Sequence, residues 1–243
     1  MPRFFSDEKA WIQLLALPEM VLGAPTTRGG ANKRQGGPTR EVTDKCRRWL
    51  EGERASLWPR APKKGFGRAA PTPSQEELEL RAEAFAAEGM MGKATAVFKG
   101  ERPTPVDDVS TADMKSKHPD ARPSEAAKCS GLRPVAAAAA LAALPEEVIR
   151  GVKSFPEGSA GGMSGLKPQH LKDALVPGYA DELARSLAEV VNLLASGRAH
   201  PSARQWVCCA SLTALAKPDG GLRPIAIGGT LRRLTGKVLA KEA

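Results

Sequence analysis

LTALAKPDGGLRPIAIGGTLRRLTGKVLA, residues 212–240, is the stretch on which the reading of this chain turns. Residues 210–217 and 222–227 alternate in the manner of strands, and Pro-Asp-Gly between them supplies the type I turn that suits a hairpin of this length. One cation stands on each side of the turn, Lys217 before it and Arg223 after it. Thr230 is placed to cap a helix that turns Leu231, Leu234 and Val238 inward and leaves Arg232, Arg233 and Lys237 outward.

Upstream, helical spacing predicts a long amphipathic helix over 180–196, with Leu183, Leu187, Val190, Val191 and Leu194 on one face and Gly197 as its stop. Before it lie a helix from Pro145 to Phe155, a Gly-rich loop over 156–168 and a helix over 169–175. The middle of the chain is acidic. There Ser74 and Glu77 form a capping box for a helix with Leu78, Ala82 and Phe85 on one face, closed by Gly89. Shorter helices follow over 92–98 and 107–117. Near the N-terminus a helix capped by Ser6 runs to Leu17 and stops before Pro18, and a second spans 40–58 with Lys45, Arg47 and Arg48 on its polar face. Residues 23–39 and 59–73 are rich in Gly, Pro and charge, which predicts disordered basic linkers. The expected organisation is therefore a basic, partly disordered region over 1–70, a small helical module over 71–130 and a third region over 131–243. The fold class is α+β and mostly helical.

Composition narrows the partners. The net charge is +9, and it is uneven: residues 1–70 carry 14 basic and 7 acidic groups, residues 71–130 carry 8 and 11, and residues 131–243 carry 14 and 9. Such a balance favours nucleic acid, because cations that neutralise phosphates release condensed counterions. No Cys-x-x-Cys pair exists, and the three histidines lie far apart, so neither a zinc site nor a disulfide framework is expected. Cys208 and Cys209, at the entrance to the first strand, are expected to pack inside. The longest apolar run, 135–144, is too short to span a bilayer and reads as plain helix, and nothing at the N-terminus resembles a signal peptide. An intracellular location is expected, with the nucleus compatible.

Two near-motifs are set aside. Gly65-Phe66-Gly67-Arg68-Ala69-Ala70 lacks a preceding strand and runs into Pro71, and Gly92-Lys93 lacks both the first glycine and the Ser or Thr of a phosphate loop. His170, beside a helix start and without a carboxylate or serine at catalytic spacing, reads as structural.

SFPEGSAGGMSGLKPQHLK, residues 154–172, resembles the loop-and-helix block at the start of the fingers subdomain in reverse transcriptases of non-LTR (LINE-type) retroelements. In that family a Gly/Ser/Pro-rich loop leads into a G-[LI]-x-P-x-x-L helix. Residues 212–240 resemble the next block, where a strand ending in Lys, a turn and Arg-Pro-Ile precede a basic helix. The blocks stand in the family's order across roughly residues 145–243. The resemblance implies a partial fingers subdomain of helices plus a β-hairpin. Lys217 and Arg223 would contact the phosphates of an incoming dNTP, a task of positioning and charge neutralisation. RNA or DNA would be met by Arg47, Arg48, Lys167, Arg232, Arg233 and Lys237, with the Gly-rich loop near the template.

The family's palm holds two Mg²⁺ ions on one Asp from a strand and an Asp-Asp pair from a later hairpin. The only Asp-Asp here, Asp107-Asp108, lies upstream of the fingers block, and after Asp219 the sole acid is Glu242. The chain is therefore expected to hold no cofactor and to be catalytically inactive alone. Lacking palm elements to rest on, the apolar face of the helix after Thr230 and one face of the hairpin are expected to be exposed. The alternative is a non-enzymatic nucleic-acid-binding or protein-interaction chain derived from a retroelement, or a remnant with no role of its own.

Overall fold

The computed structural model describes residues 7–23, 38–58, 74–87, 89–98, 108–117, 142–217 and 221–240. Residues 24–37 and 59–73 of the expected linkers, the Pro-Asp-Gly turn, Ser6, the first near-motif and most of the alanine run lie outside these residues, whereas Pro38 and Thr39, expected in the first linker, open a helix. Among the described residues the protein is mostly helical with one small antiparallel sheet, an α+β chain. They divide into two compact units, the first within Met1–Ala61, Ala138–Ala210 and Gly228–Ala243, the second within Pro62–Ala137 and Ser211–Ile227.

The first unit starts with α1 (Glu8–Val21), capped by the Asp7 carboxylate, which accepts from the Lys9 N–H at 2.9 Å. The helix does not stop before Pro18; it carries that proline and ends with Leu22 N–H on Pro18 O. Proline removes one donor from the ladder, and here burial outweighs the loss, since Pro18, Met20 and Val21 are all buried. The expected single helix over 40–58 is two, α2 (Pro38–Leu50) and α3 (Arg54–Leu57). Gly52, at φ +89°, makes the break, and the Glu53 N–H closes back on Arg48 O. Met20, Val21, Trp49 and Leu57 then form one small core.

The main core of this unit is built by α7 (Pro145–Lys153), α8 (Pro168–Ala174), α9 (Ala180–Ala195) and α11 (Thr230–Leu239). Val148 and Val152 from α7, Leu187 and Val191 from α9, and Leu231, Leu234 and Val238 from α11 fill it. The apolar face of α11 is thus covered, contrary to the exposure expected of it. Gly151 explains how α7 and α11 come so close: a Cβ there would lie 2.9 Å from Leu234 Cδ1. Asn192 adds a polar tie, its side-chain amide pairing with both the N–H (2.7 Å) and the C=O (3.3 Å) of Ala143. After α9 in the chain comes α10 (Pro201–Cys208), capped by the His200 side chain. It packs Ala203 with Trp11, Leu193 and Ala199. The sequence reading gave no helix here.

In the second unit, α4 (Gln75–Ala87) opens on the expected capping box: Ser74 N–H donates to Glu77 Oε2 at 2.9 Å, and Glu77 N–H donates to Ser74 Oγ at 3.2 Å. Gly89, at φ +74°, turns the chain into α5 (Met91–Phe98), and buried Ala82 and Ala94 belong to this pair of helices. Gly92 lies inside α5, as expected once a phosphate loop is rejected. After α6 (Asp108–Ser116) come the strands β1 (Ala210–Ala216) and β2 (Leu222–Gly228).

Candidate functional site: a cationic hairpin face

The register of the hairpin follows from one bond: the Lys217 N–H donates to Gly221 O at 2.7 Å. Carried along the ladder, this sets Leu215 opposite Arg223 and Ser211 opposite Ile227, and the latter pair is joined by Ser211 Oγ donating to Ile227 O. Side chains alternate faces along a strand, so Lys217 and Arg223 share one face. They are diagonal neighbours, at most roughly 7–8 Å apart by the usual spacing of such pairs, and somewhat less at Cβ. Both are exposed, and neither side chain makes an ion pair or hydrogen bond among the described residues.

The same register sends the backbone groups of Leu222 and Pro224 to the outer edge of β2. Pro224, which has no N–H, therefore costs the ladder nothing. Leu222 O is used from outside, accepting from Lys117 Nζ at 3.0 Å, and Lys117 is paired in turn with Asp113 one turn back in α6. Sequence reasoning missed Lys117 because the partners are 105 residues apart.

The other expected nucleic-acid contacts lie in the first unit, mostly with partners of their own. Arg47 donates to Asp44 (2.8 Å) and Glu51 (2.6 Å), and Arg48 to Glu53 (3.1 Å) and Ser56 (2.7 Å). The hydrogen bond from Arg47 holds the Asp44 carboxyl below its ordinary range, and both carboxylates raise Arg47 further. Arg232 is exposed and donates to Cys208 O at 2.6 Å. Cys208 is itself exposed and Cys209 half-buried, so this pair is not the internal packing expected.

Arg233 and Lys237 were expected to face outward, yet both are half-buried. The Arg233 guanidinium lies 5.3 Å from the centre of the buried Phe155 ring and Lys237 Nζ lies 5.0 Å from it, in a cleft of about 490 Å³ lined also by Pro156, Ser159, Gly236 and Ala240. Arg233 donates to Ala160 O and to Thr230 Oγ1, and burial lowers its pKa. Lys172 donates to Phe155 O at 2.7 Å. These cations fasten carbonyl groups at the ends of helices and in the Gly-rich loop, a use that satisfies backbone acceptors.

Thr230 does not cap α11; Gly229 holds that position, and the buried Thr230 hydroxyl donates to Leu166 O. The Gly-rich loop is thereby strapped to the start of α11. Gly162, at φ +68°, lies where a Cβ would come within 2.9 Å of the Gly228 and Gly229 backbone. Lys167 is exposed just before α8, and its N–H donates to His170 Nδ1 at 3.3 Å. His170 is structural, as expected. Burial, and then the charge of Lys167, lower its pKa against the opposing pull of Asp173.

A ring that accepts through Nδ1 must be neutral there. The folded chain binds this proton more weakly than the unfolded chain, so the contribution is complete above about pH 6.5 and declines as pH falls through the ordinary histidine range. Denaturant titrations between pH 7 and pH 5 should show stability dropping, with a shallower drop in His170→Gln. Identical slopes in the two proteins would remove this role.

Among the described residues, no three His, Cys, Asp or Glu side chains form a group that could hold a metal ion. Asp108 opens α6 and Asp107 lies outside the described residues. Among the same residues, no helix is long and apolar enough to cross a membrane. Comparison with protein-family models, with curated proteins and with solved structures finds no match.

Proposed function

We propose that the hairpin face bearing Lys217 and Arg223 binds the phosphates of a nucleoside triphosphate, within a retroelement RNA-directed DNA polymerase of which this chain supplies the fingers region. The observation carrying the reading is the contrast in side-chain commitment. Arg47, Arg48 and Arg233 are occupied by protein acceptors, whereas Lys217 and Arg223 stand exposed and unpaired among the described residues, side by side on one face. Two like charges held close favour a polyanion, and the pair offers one forked donor and one point charge. RNA or DNA is met more weakly by the exposed Lys167 and Arg232. The chain positions substrate and does not carry out nucleotidyl transfer alone.

A fluorescent dNTP titrated into the whole chain should bind with an affinity that falls as salt rises. Lys217→Gln and Arg223→Gln should each weaken it roughly tenfold, the effect of one charge-assisted hydrogen bond. Lys45→Gln, on α2, serves as the control and should leave it unchanged. Binding that survives both hairpin substitutions ends the reading.

A further inference from the structure

Arg233, Gly236, Lys237 and Ala240 follow one another along one face of α11 and its C-cap, three and four residues apart. With Phe155, Pro156 and Ser159 they line the cleft of about 490 Å³, a size at which small-molecule sites are found. Two like charges one turn apart repel, and nothing acidic offsets them. Among the described residues neither Arg233 nor Lys237 is in an ion pair, and from Val190 to Lys241 the chain has a single acid, Asp219. Both cations rest instead against the Phe155 ring. Arg233 bonds to protein through Nη2 alone, and Lys237 Nζ donates to no acceptor among the described residues.

Gly236 separates the two. Glycine inside a helix is costly, and at Gly151 the cost has a steric reason, since a Cβ there would strike Leu234. Gly236 has no such reason: its position is exposed, and a Cβ on it would meet nothing within 4 Å. The missing side chain leaves open space between two cations, beside the apolar lining of Pro156 and Ala240.

We propose that this cleft binds a small phosphate monoester. Its phosphoryl oxygens lie between Arg233 Nη1 and Lys237 Nζ at the Gly236 gap, and its organic part lies against Pro156 and Ala240. Two fixed positive charges match a group that carries nearly two negative ones near neutral pH, whereas a carboxylate or a backbone phosphodiester carries only one. The forked donor and the point charge suit oxygens approached from two sides. An ester is favoured over the free ion because only an organic group covers the apolar lining. The site belongs wholly to the first unit, and it stands independently of the triphosphate reading at the hairpin.

The test is an NMR titration of the full chain. Phenyl phosphate should shift the backbone amides of residues 155–160 and 233–240, and inorganic phosphate should shift the same amides more weakly. Lys237→Gln should weaken phenyl phosphate roughly tenfold, the effect of one charge-assisted hydrogen bond. Gly236→Leu, which fills the gap with a better helix former, should abolish binding without lowering the thermal midpoint. The proposal is overturned if phenyl phosphate leaves these amides unmoved, or if Gly236→Leu binds it as the wild type does. It is equally overturned if an oligothymidine without a terminal phosphate displaces phenyl phosphate at equal concentration, because the cleft would then belong to a strand.

Discussion

Leu234→Ala is expected to lower the unfolding free energy of the first unit by about 3–5 kcal/mol, the upper part of the range for truncating a buried leucine. Leu234 is 0% exposed and belongs to the same core as Val148, Val152, Val191, Leu231 and Val238. How well a site collapses around a lost side chain sets where in that range it falls. Here the walls are helical, and Gly151 of α7 already lies so near that a Cβ on it would meet Leu234 Cδ1. There is no side chain on Gly151 to swing into the space. Against a total stability of about 5–15 kcal/mol, the loss would leave the unit marginal. Leu80→Ala, at an exposed position of α4, should change stability by less than about 0.5 kcal/mol. Urea denaturation of the two variants decides the matter. A Leu234→Ala loss under about 1 kcal/mol would mean that α11 does not seal this core, and would restore the expectation that its apolar face lies open.

What the sequence made legible was whatever is decided within a few residues. The 3.6 spacing through Leu183, Leu187 and Val191 produced α9, and the Ser74–Glu77 pair produced the start of α4, because periodicity and capping are local. The hairpin strands were readable from their alternation. Pro18 misled because proline's local cost was allowed to outweigh tertiary burial. α10 went unseen although Pro201 opens it, since its eight residues were too few to set a period against the strand beginning at Ala210.

The candidate site divides in the same way. Lys217 and Arg223 stood out as a pair flanking a turn, and their sharing of one face required only the ladder register. That Arg233 fastens Ala160 O across 73 residues, or that Lys117 reaches Leu222 O, depends on chain crossings that no local pattern encodes. The Gly-rich loop over 156–168 was legible as a loop from its composition, but not why its glycines are needed. The structure supplies the reason at Gly162.

Gly162→Ala is therefore expected to cost about 3 kcal/mol, made of two separable parts. At φ +68° a side chain is strained by about 1–2 kcal/mol whatever its surroundings. The remainder is steric: the new Cβ would lie 2.9 Å from Gly228 C, Gly228 O and Gly229 Cα, all of them backbone atoms that cannot rotate away. Either the loop lifts or the start of α11 shifts, and both loosen the bonds from Thr230 to Leu166 O and from Arg233 to Ala160 O. Gly178→Ala isolates the first part, because Gly178 sits at φ +89° with nothing within 4 Å of its would-be Cβ. Its cost should be only the strain. Guanidinium denaturation should rank the two variants in that order, separated by about 1–2 kcal/mol, with Gly162→Ala also accelerating amide exchange across residues 160–166. Equal losses, or unchanged exchange in that loop, would mean that the strap does not press on the Gly228–Gly229 backbone.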